Sequence, residues 1–361
     1  MRPFRALPGL SRSLVGSVAT GAVLLALAVP ASAAPHIRTA TDPTLTNIVN
    51  GVLPPLDPTR PRGLRLGVDV KTGLYEVPAI GTFDAATGYR TDIVQGFVGW
   101  EYLGHPDWSE FPTSHVRDIV ASGRTPQITW DPGVVGGPVD QPAYSLKSIT
   151  RGAHDAYLTR FAQATRAIGS RIQIRLGHEM NGTWNTYSEN HSGNTTGDFV
   201  QAWRYIHNLF KRVGATNVDW VWSPNVFDAP ATSARNWYPG DDYVDWVGID
   251  GYSYPVSGCP SAATLFGPAM TDLLSMSTKR VMIAETAVAE ECGNKATWIK
   301  GLFTWATTQP RLELIIWWQR TETGRDWRFD SSPAATQGMR TQLQIQAART
   351  AAALKPTPPP H

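Results

Sequence analysis

Ile172-Gln173-Ile174-Arg175-Leu176-Gly177-His178-Glu179 is a β-branched, apolar run that ends, after one glycine, on a histidine and a glutamate. Such a run reads as a buried strand of a parallel sheet, and the polar residues that follow it stand where parallel barrels carry their chemistry. Val281-Met282-Ile283-Ala284-Glu285-Thr286 has the same form and again delivers one glutamate at the end of a strand. Each glutamate is flanked by apolar sequence rather than by the charged residues of a helix surface, which sets this pair apart from solvated surface groups.

Outward from these two segments, eight runs rich in β-branched and aromatic residues recur, at 64–70, 95–100, 126–130, 172–177, 218–223, 246–250, 280–284 and 312–318. Helical intervals separate most of them. In 153–168, Tyr157, Leu158, Phe161, Ala164 and Ile168 fall on one helical face, and 198–213 repeats the pattern with Asp198 as a candidate cap. The interval 224–244, rich in Pro, Asn and Gly, leaves room for a short helix only. Strand and helix alternating eight times predict an α/β fold, a single (β/α)8 TIM barrel with a parallel eight-stranded core, spanning 63–350.

The flanks read differently. Residues 1–33 carry Arg2, Arg5 and Arg12, an apolar stretch over 14–29 and then Ala31-Ser32-Ala33, the three parts of a secretory signal with cleavage expected after Ala33. A proline-rich extended arm is expected over 34–62 and a Pro-rich tail over 351–361. Removing the three leader arginines from the 32 basic residues leaves 29 against 30 acidic ones, a formal charge of −1. That balance argues against a nucleic-acid partner, and no second segment is apolar enough to hold a membrane once the leader is gone. The expectation is a secreted, extracellular monomer. Cys259 and Cys292, the two cysteines of a chain bound for an oxidising compartment, are predicted to form a disulfide.

Two carboxyl groups facing each other across a barrel mouth suit glycoside cleavage, in which one protonates the leaving oxygen and the other attacks the anomeric carbon or activates water. Arg175, His178 and Tyr252 are candidate donors to the ionised partner. A zinc-protease reading of His178-Glu179 fails because Gly182 stands where the second histidine is needed, and a serine-hydrolase elbow fails because Pro255 stands where glycine is needed. Neither a metal nor a cofactor is called for. The rival from another class is a barrel that binds polysaccharide without cutting it.

The phrases Arg175-x-x-His178-Glu179-Met180-Asn181-Gly182-x-Trp184, Trp220-Val221-Trp222-Ser223-Pro224-Asn225, Tyr238-Pro239-Gly240-Asp241, Asp245-Trp246-Val247-Gly248-Ile249-Asp250-Gly251-Tyr252 and Ile283-Ala284-Glu285-Thr286, in this order, resemble glycoside hydrolase family 26. The resemblance implies a retaining double displacement with Glu179 as acid/base and Glu285 as nucleophile. It also implies a sugar subsite shaped by Arg175, His178, Trp184 and Tyr252, with Trp317 as its aromatic floor. The family consists mainly of endo-β-1,4-mannanases, with some β-1,3-xylanases and mixed-linkage β-glucanases, so β-1,4-mannan is the first substrate expected. One departure is that 185–193 lacks the second tryptophan many members show, which bears on the subsites of the leaving group. His105, Asp107 and Trp108, in the loop after the second run, are further candidates for substrate contact.

Overall fold

The computed structural model describes residues 63–227, 232–322 and 324–353. The expected leader, the arm 34–62 and tail residues 354–361 lie outside the described residues. Eight strands, β1 (Arg65–Val70), β2 (Ile93–Tyr102), β3 (Thr125–Val135), β4 (Ile172–Leu176), β5 (Val218–Trp222), β6 (Trp246–Ser253), β7 (Arg280–Val288) and β8 (Leu312–Gln319), form a closed parallel barrel in chain order. Closure is made by β8 pairing with β1 over six residues, from Arg65 opposite Leu314 to Val70 opposite Gln319. Each of the eight runs seen in the sequence is a strand.

Around the barrel run α1 (Val77–Thr87), α2 (Thr113–Ala121), α3 (Leu146–Thr150), α4 (Asp155–Ile168), α5 (Asp198–Val213), α6 (Ala262–Met276), α7 (Lys295–Ala306) and α8 (Pro333–Ala353). Between β5 and β6 the described residues hold no α-helix, only two short 3-10 helices, Ala234–Trp237 and Asp241–Tyr243. The Pro, Asn and Gly content of that interval fits these short turns of helix and nothing longer among the described residues. Asp198 is also not a cap: Gly197 holds that position, and the Asp198 carboxylate turns back to accept from the backbone N–H and hydroxyl of Thr195. Helix α8 extends to Ala353, three residues past the expected boundary at 350. Among the described residues no helix is long and apolar enough to cross a membrane.

The two-residue period of the strands decides what fills the barrel. In β4 every residue is buried, but Ile172, Ile174 and Leu176 pack outward into the core beneath the helices while Gln173 and Arg175 point inward. The interior is layered, as in barrels generally. Ile93, Val221, Trp246, Met282, Ala284, Leu314 and Ile316 form an apolar plug separate from the outer core. In the interior Gln127 donates to Gln173 at 2.7 Å, and Gln127 also reaches the sulfur of Met282 in the plug. The charged layer at the carboxyl ends is the candidate site.

Candidate active site

Two local departures from regular strand geometry aim the glutamates. Strand β7 shifts register against β6 between Ile249 and Asp250, and against β8 between Ile283 and Thr286. Ala284 therefore joins the interior plug while its neighbour Glu285 also faces the mouth, which strict alternation would forbid. Past β4 the backbone bends through positive φ at Gly177 (52°) and again at Glu179 (51°), a left-handed conformation uncommon for a residue with a side chain. The Glu179 N–H donates to the Ser223 carbonyl at 2.8 Å and ties this bend to the end of β5.

Glu285 is gripped on both oxygens. Its Oε1 accepts from Arg175 and, at 3.2 Å, from Gln95, and its Oε2 accepts from the Tyr252 hydroxyl at 2.6 Å. Arg175 is fully buried and spends its other nitrogens on Thr129 Oγ1 at 3.0 Å and Asp250 Oδ1 at 3.0 Å. Burial works against its charge, but Asp250 and Glu285 overcome that penalty and raise its pKa further. The nearest carboxylate oxygens of Glu179, Asp250 and Glu285 lie within 4.8 Å of one another, with the guanidinium bridging the latter two.

Glu179 lives in a different environment. Trp184 Nε1 donates to its Oε2 at 2.8 Å and Asn225 Nδ2 to its Oε1 at 2.6 Å. Burial raises its pKa and the charge of Glu285 adds to the rise, while His178, Asn225 and Arg175 oppose it. A carboxyl held towards its neutral form beside one gripped by a cation and a phenol is the division of labour that acid and nucleophile require.

Arg175 and Tyr252 thus hold Glu285 as expected, whereas His178 does not touch it. His178 Nδ1 instead meets Asp131 Oδ1 at 3.0 Å, its ring lies edge-on to Phe97 at 5.4 Å, and the Tyr187 hydroxyl donates to the same Asp131 oxygen. Burial disfavours the imidazolium, yet the adjacent Asp131 carboxylate overrides it and pushes the His178 pKa up to about 9.

Trp317 is a correction. It is 0% exposed and packs outward against Trp298 of α7, because its partner across the β1–β8 ladder is the outward-facing Val68. Trp318, opposite Asp69, turns inward: its ring lies edge-on to Phe97 at 5.8 Å and to Tyr252 at 6.1 Å, and Arg320 stacks over it at 4.1 Å. Trp318 is the aromatic wall of the mouth. Arg320 is anchored in turn by the fully buried Asp69, whose pKa burial raises to about 8 against the pull of Arg320.

Gln95, Thr129, Asp131, Asn225 and Asp250 were not singled out beforehand as parts of this constellation. Asn225 was within reach of the rule used for the glutamates, since it follows β5 and bridges to Asp250. In the loop after β2, His105 and Trp108 stack at 3.9 Å on an exposed ring. Cys259 and Cys292 form the disulfide, joining the loops after β6 and β7 with a Cα–Cα distance of 5.7 Å. Closing a loop of 33 residues is worth on the order of 3–4 kcal/mol in the chain-entropy model.

Residues 146–314, which include both glutamates, match the model of "Glycosyl hydrolase family 26". Endoglucanase H of Acetivibrio thermocellus is 34% identical over 289 residues, covering 78% of this chain and 30% of that protein, so the chain spans under a third of that relative's length. A mannan endo-1,4-beta-mannosidase of Bacillus subtilis is 26% identical over 245 residues, 65% of this chain and 57% of the relative. A β-mannanase structure from Bacteroides ovatus superposes with a TM-score of 0.54 at 17% identity, over 80% of this chain and 85% of that one, and shares the fold. Motif order, barrel and sequence match agree on glycosyl hydrolase family 26 for the matched segment, residues 146–314.

Proposed function

We propose that this protein is a secreted, retaining, endo-acting β-glycoside hydrolase working on a β-1,4-linked polysaccharide, with Glu179 as acid/base and Glu285 as nucleophile. The observation that supports the reading is that Glu179 and Glu285 bring one carboxylate oxygen each within 4.8 Å of the other, a nearest-atom gap compatible with the short retaining separation. Retaining enzymes hold the pair ~5–5.5 Å apart, whereas inverting ones leave ~6.5–9.5 Å for a water. In the first step Glu285 bonds to the anomeric carbon as the glycosidic C–O bond breaks, and the Glu179 proton passes to the departing oxygen. In the second, Glu179 takes a proton from water, which attacks the same carbon and releases Glu285. Trp318 and Tyr252 offer the aromatic face and polar edge against which a sugar ring packs.

The expected substrate is β-1,4-mannan, in keeping with mannanases among the relatives. A β-glucan is the second reading, favoured because the relative matching 289 residues at 34% identity is named an endoglucanase. The disulfide fits export to an oxidising compartment. The test is release of reducing ends from β-mannan, glucomannan, mixed-linkage β-glucan and β-1,3-xylan, with Glu285→Ala alongside and the anomer of the first product read by proton NMR. Cleavage by the parent only, giving the β-anomer first, is the expected result. An α-anomer first would refute retention, and silence on all four polymers would favour a binding barrel.

A further inference from the structure

Lys295, the first residue of α7, is 2% exposed, and lysine is almost never buried to that extent unless its charge is met. Its ammonium has three donors and the protein engages all three: Glu290 Oε2 at 3.2 Å, the Asp326 carbonyl at 2.9 Å and the Arg328 carbonyl at 2.7 Å. An apolar side chain in this place would avoid the cost of desolvating a charge. It would leave unsatisfied three acceptors that belong to two different loops, since Glu290 follows β7 whereas Asp326 and Arg328 follow β8. No donor is left over for a ligand, so the work of Lys295 lies within the protein.

Trp327 stands between the two gripped carbonyls. Its own N–H donates to the Arg320 carbonyl at 3.0 Å, at the base of a short antiparallel hairpin formed by β9 (Thr321–Glu322) and β10 (Arg325–Asp326). Residues 326, 327 and 328 are thus each pinned through the backbone, and the indole of the middle one lies 5.3 Å from the Tyr252 ring and edge-on to Tyr254 at 6.1 Å. Trp318, edge-on to the same Tyr252 ring at 6.1 Å, is bonded through Nε1 to Glu322 of this hairpin at 2.7 Å. Both tryptophans that flank Tyr252 are therefore set by the segment after β8. Lys295 ties the far end of that segment to Glu290, which also accepts from the Ser331 hydroxyl and lies two residues before the disulfide at Cys292. Tyr252 in turn donates to Glu285, so a continuous set of contacts runs from the buried ammonium to the carboxylate.

We propose that Lys295 is a positioning residue for the nucleophile, acting through Trp327 and Tyr252 to keep the phenol hydroxyl on Oε2 of Glu285. The proposal rests on the hydrolytic reading of Glu285, and its test carries a control for that reading. Lys295→Met keeps the stem and removes the ammonium. On the polysaccharide that the parent cleaves, kcat should fall several-fold with KM little changed. The same substitution made in Tyr252→Phe should lower kcat no further, because the bond it would misdirect is already gone. Lys295→Gln, which keeps an amide donor for one carbonyl, is the second variant should the first fold poorly, and it should show a smaller loss that likewise vanishes in Tyr252→Phe. Glu285→Ala, assayed alongside, should be inactive. With that control inactive, an unchanged kcat, a loss confined to KM, or a loss as large in Tyr252→Phe as in the parent would overturn the positioning role and leave the reading of Glu285 standing. Activity that survives Glu285→Ala would overturn both.

Discussion

Tyr252 donates its hydroxyl to Oε2 of Glu285 at 2.6 Å, while Arg175 and Gln95 occupy Oε1 of the same carboxylate. Oε2 is thus the less encumbered oxygen, the one expected to reach the anomeric carbon, and Tyr252 sets its direction. Tyr252→Phe keeps the ring between Trp318 and Trp327 and removes only this bond. A hydrogen bond to a charged group is worth about 1.5–3 kcal/mol, so kcat should fall roughly 10- to 100-fold with KM little changed. A rise in KM at unchanged kcat would show that Tyr252 binds substrate without orienting the nucleophile.

Asn225 opposes the burial that raises the Glu179 pKa. Its amide donates to Oε1, a bond that favours the carboxylate, so Asn225→Ala should raise the Glu179 pKa further. If Glu179 is the proposed acid and must be protonated to expel the leaving group, the alkaline limb of kcat/KM should move to higher pH. An alkaline limb unmoved by the substitution would mean that another group governs it.

The barrel was legible because each parallel strand is buried on both faces and so leaves a β-branched run that stands out from the intervening helices. That same burial hid the facing of individual residues. In Leu314-Ile315-Ile316-Trp317-Trp318 nothing apolar or polar marks inside from outside, and only the pairing of Trp317 with Val68 and Trp318 with Asp69 resolves it. Glu285 was found because it ends an apolar run. Asp250 was missed as a partner because it sits within β6, where its burial against Arg175 depends on a strand two places away in the barrel. The extensions of β2 and β3, paired as far as Tyr102 opposite Val135, run through Gly, Glu and Pro that local preference disfavours in strands.

Gly182 makes a connection that composition alone could not reveal. A Cβ there would lie 2.4 Å from the Trp184 ring, which folds back over the loop to reach Glu179. Trp184 is 52% exposed and free to swing away, so Gly182→Ala should cost little stability and dislodge the indole instead. The expected result is a melting temperature within a few degrees of the parent and a loss in kcat/KM equal to that of Trp184→Phe. A double variant no worse than either single would place both changes on one interaction. Additive losses would mean that Gly182 acts by some other route.

Asp131 offers a test in which sign and pH window are both fixed. Beside it, the His178 pKa is raised from 6.5 to about 9, so the pair stabilises the folded state fully below pH ~6.5 and the contribution is lost as pH rises through ~9. Asp131→Asn should therefore destabilise on the order of 2–3 kcal/mol in urea unfolding at pH 6 and far less at pH 10. The charge on His178 also lowers the Glu179 pKa, so its loss should shift the alkaline limb of activity upward, in the same direction as Asn225→Ala. An equal loss of stability at both pH values would show that Asp131 serves only as a hydrogen-bond acceptor for Tyr187 and a neutral His178, with no imidazolium involved.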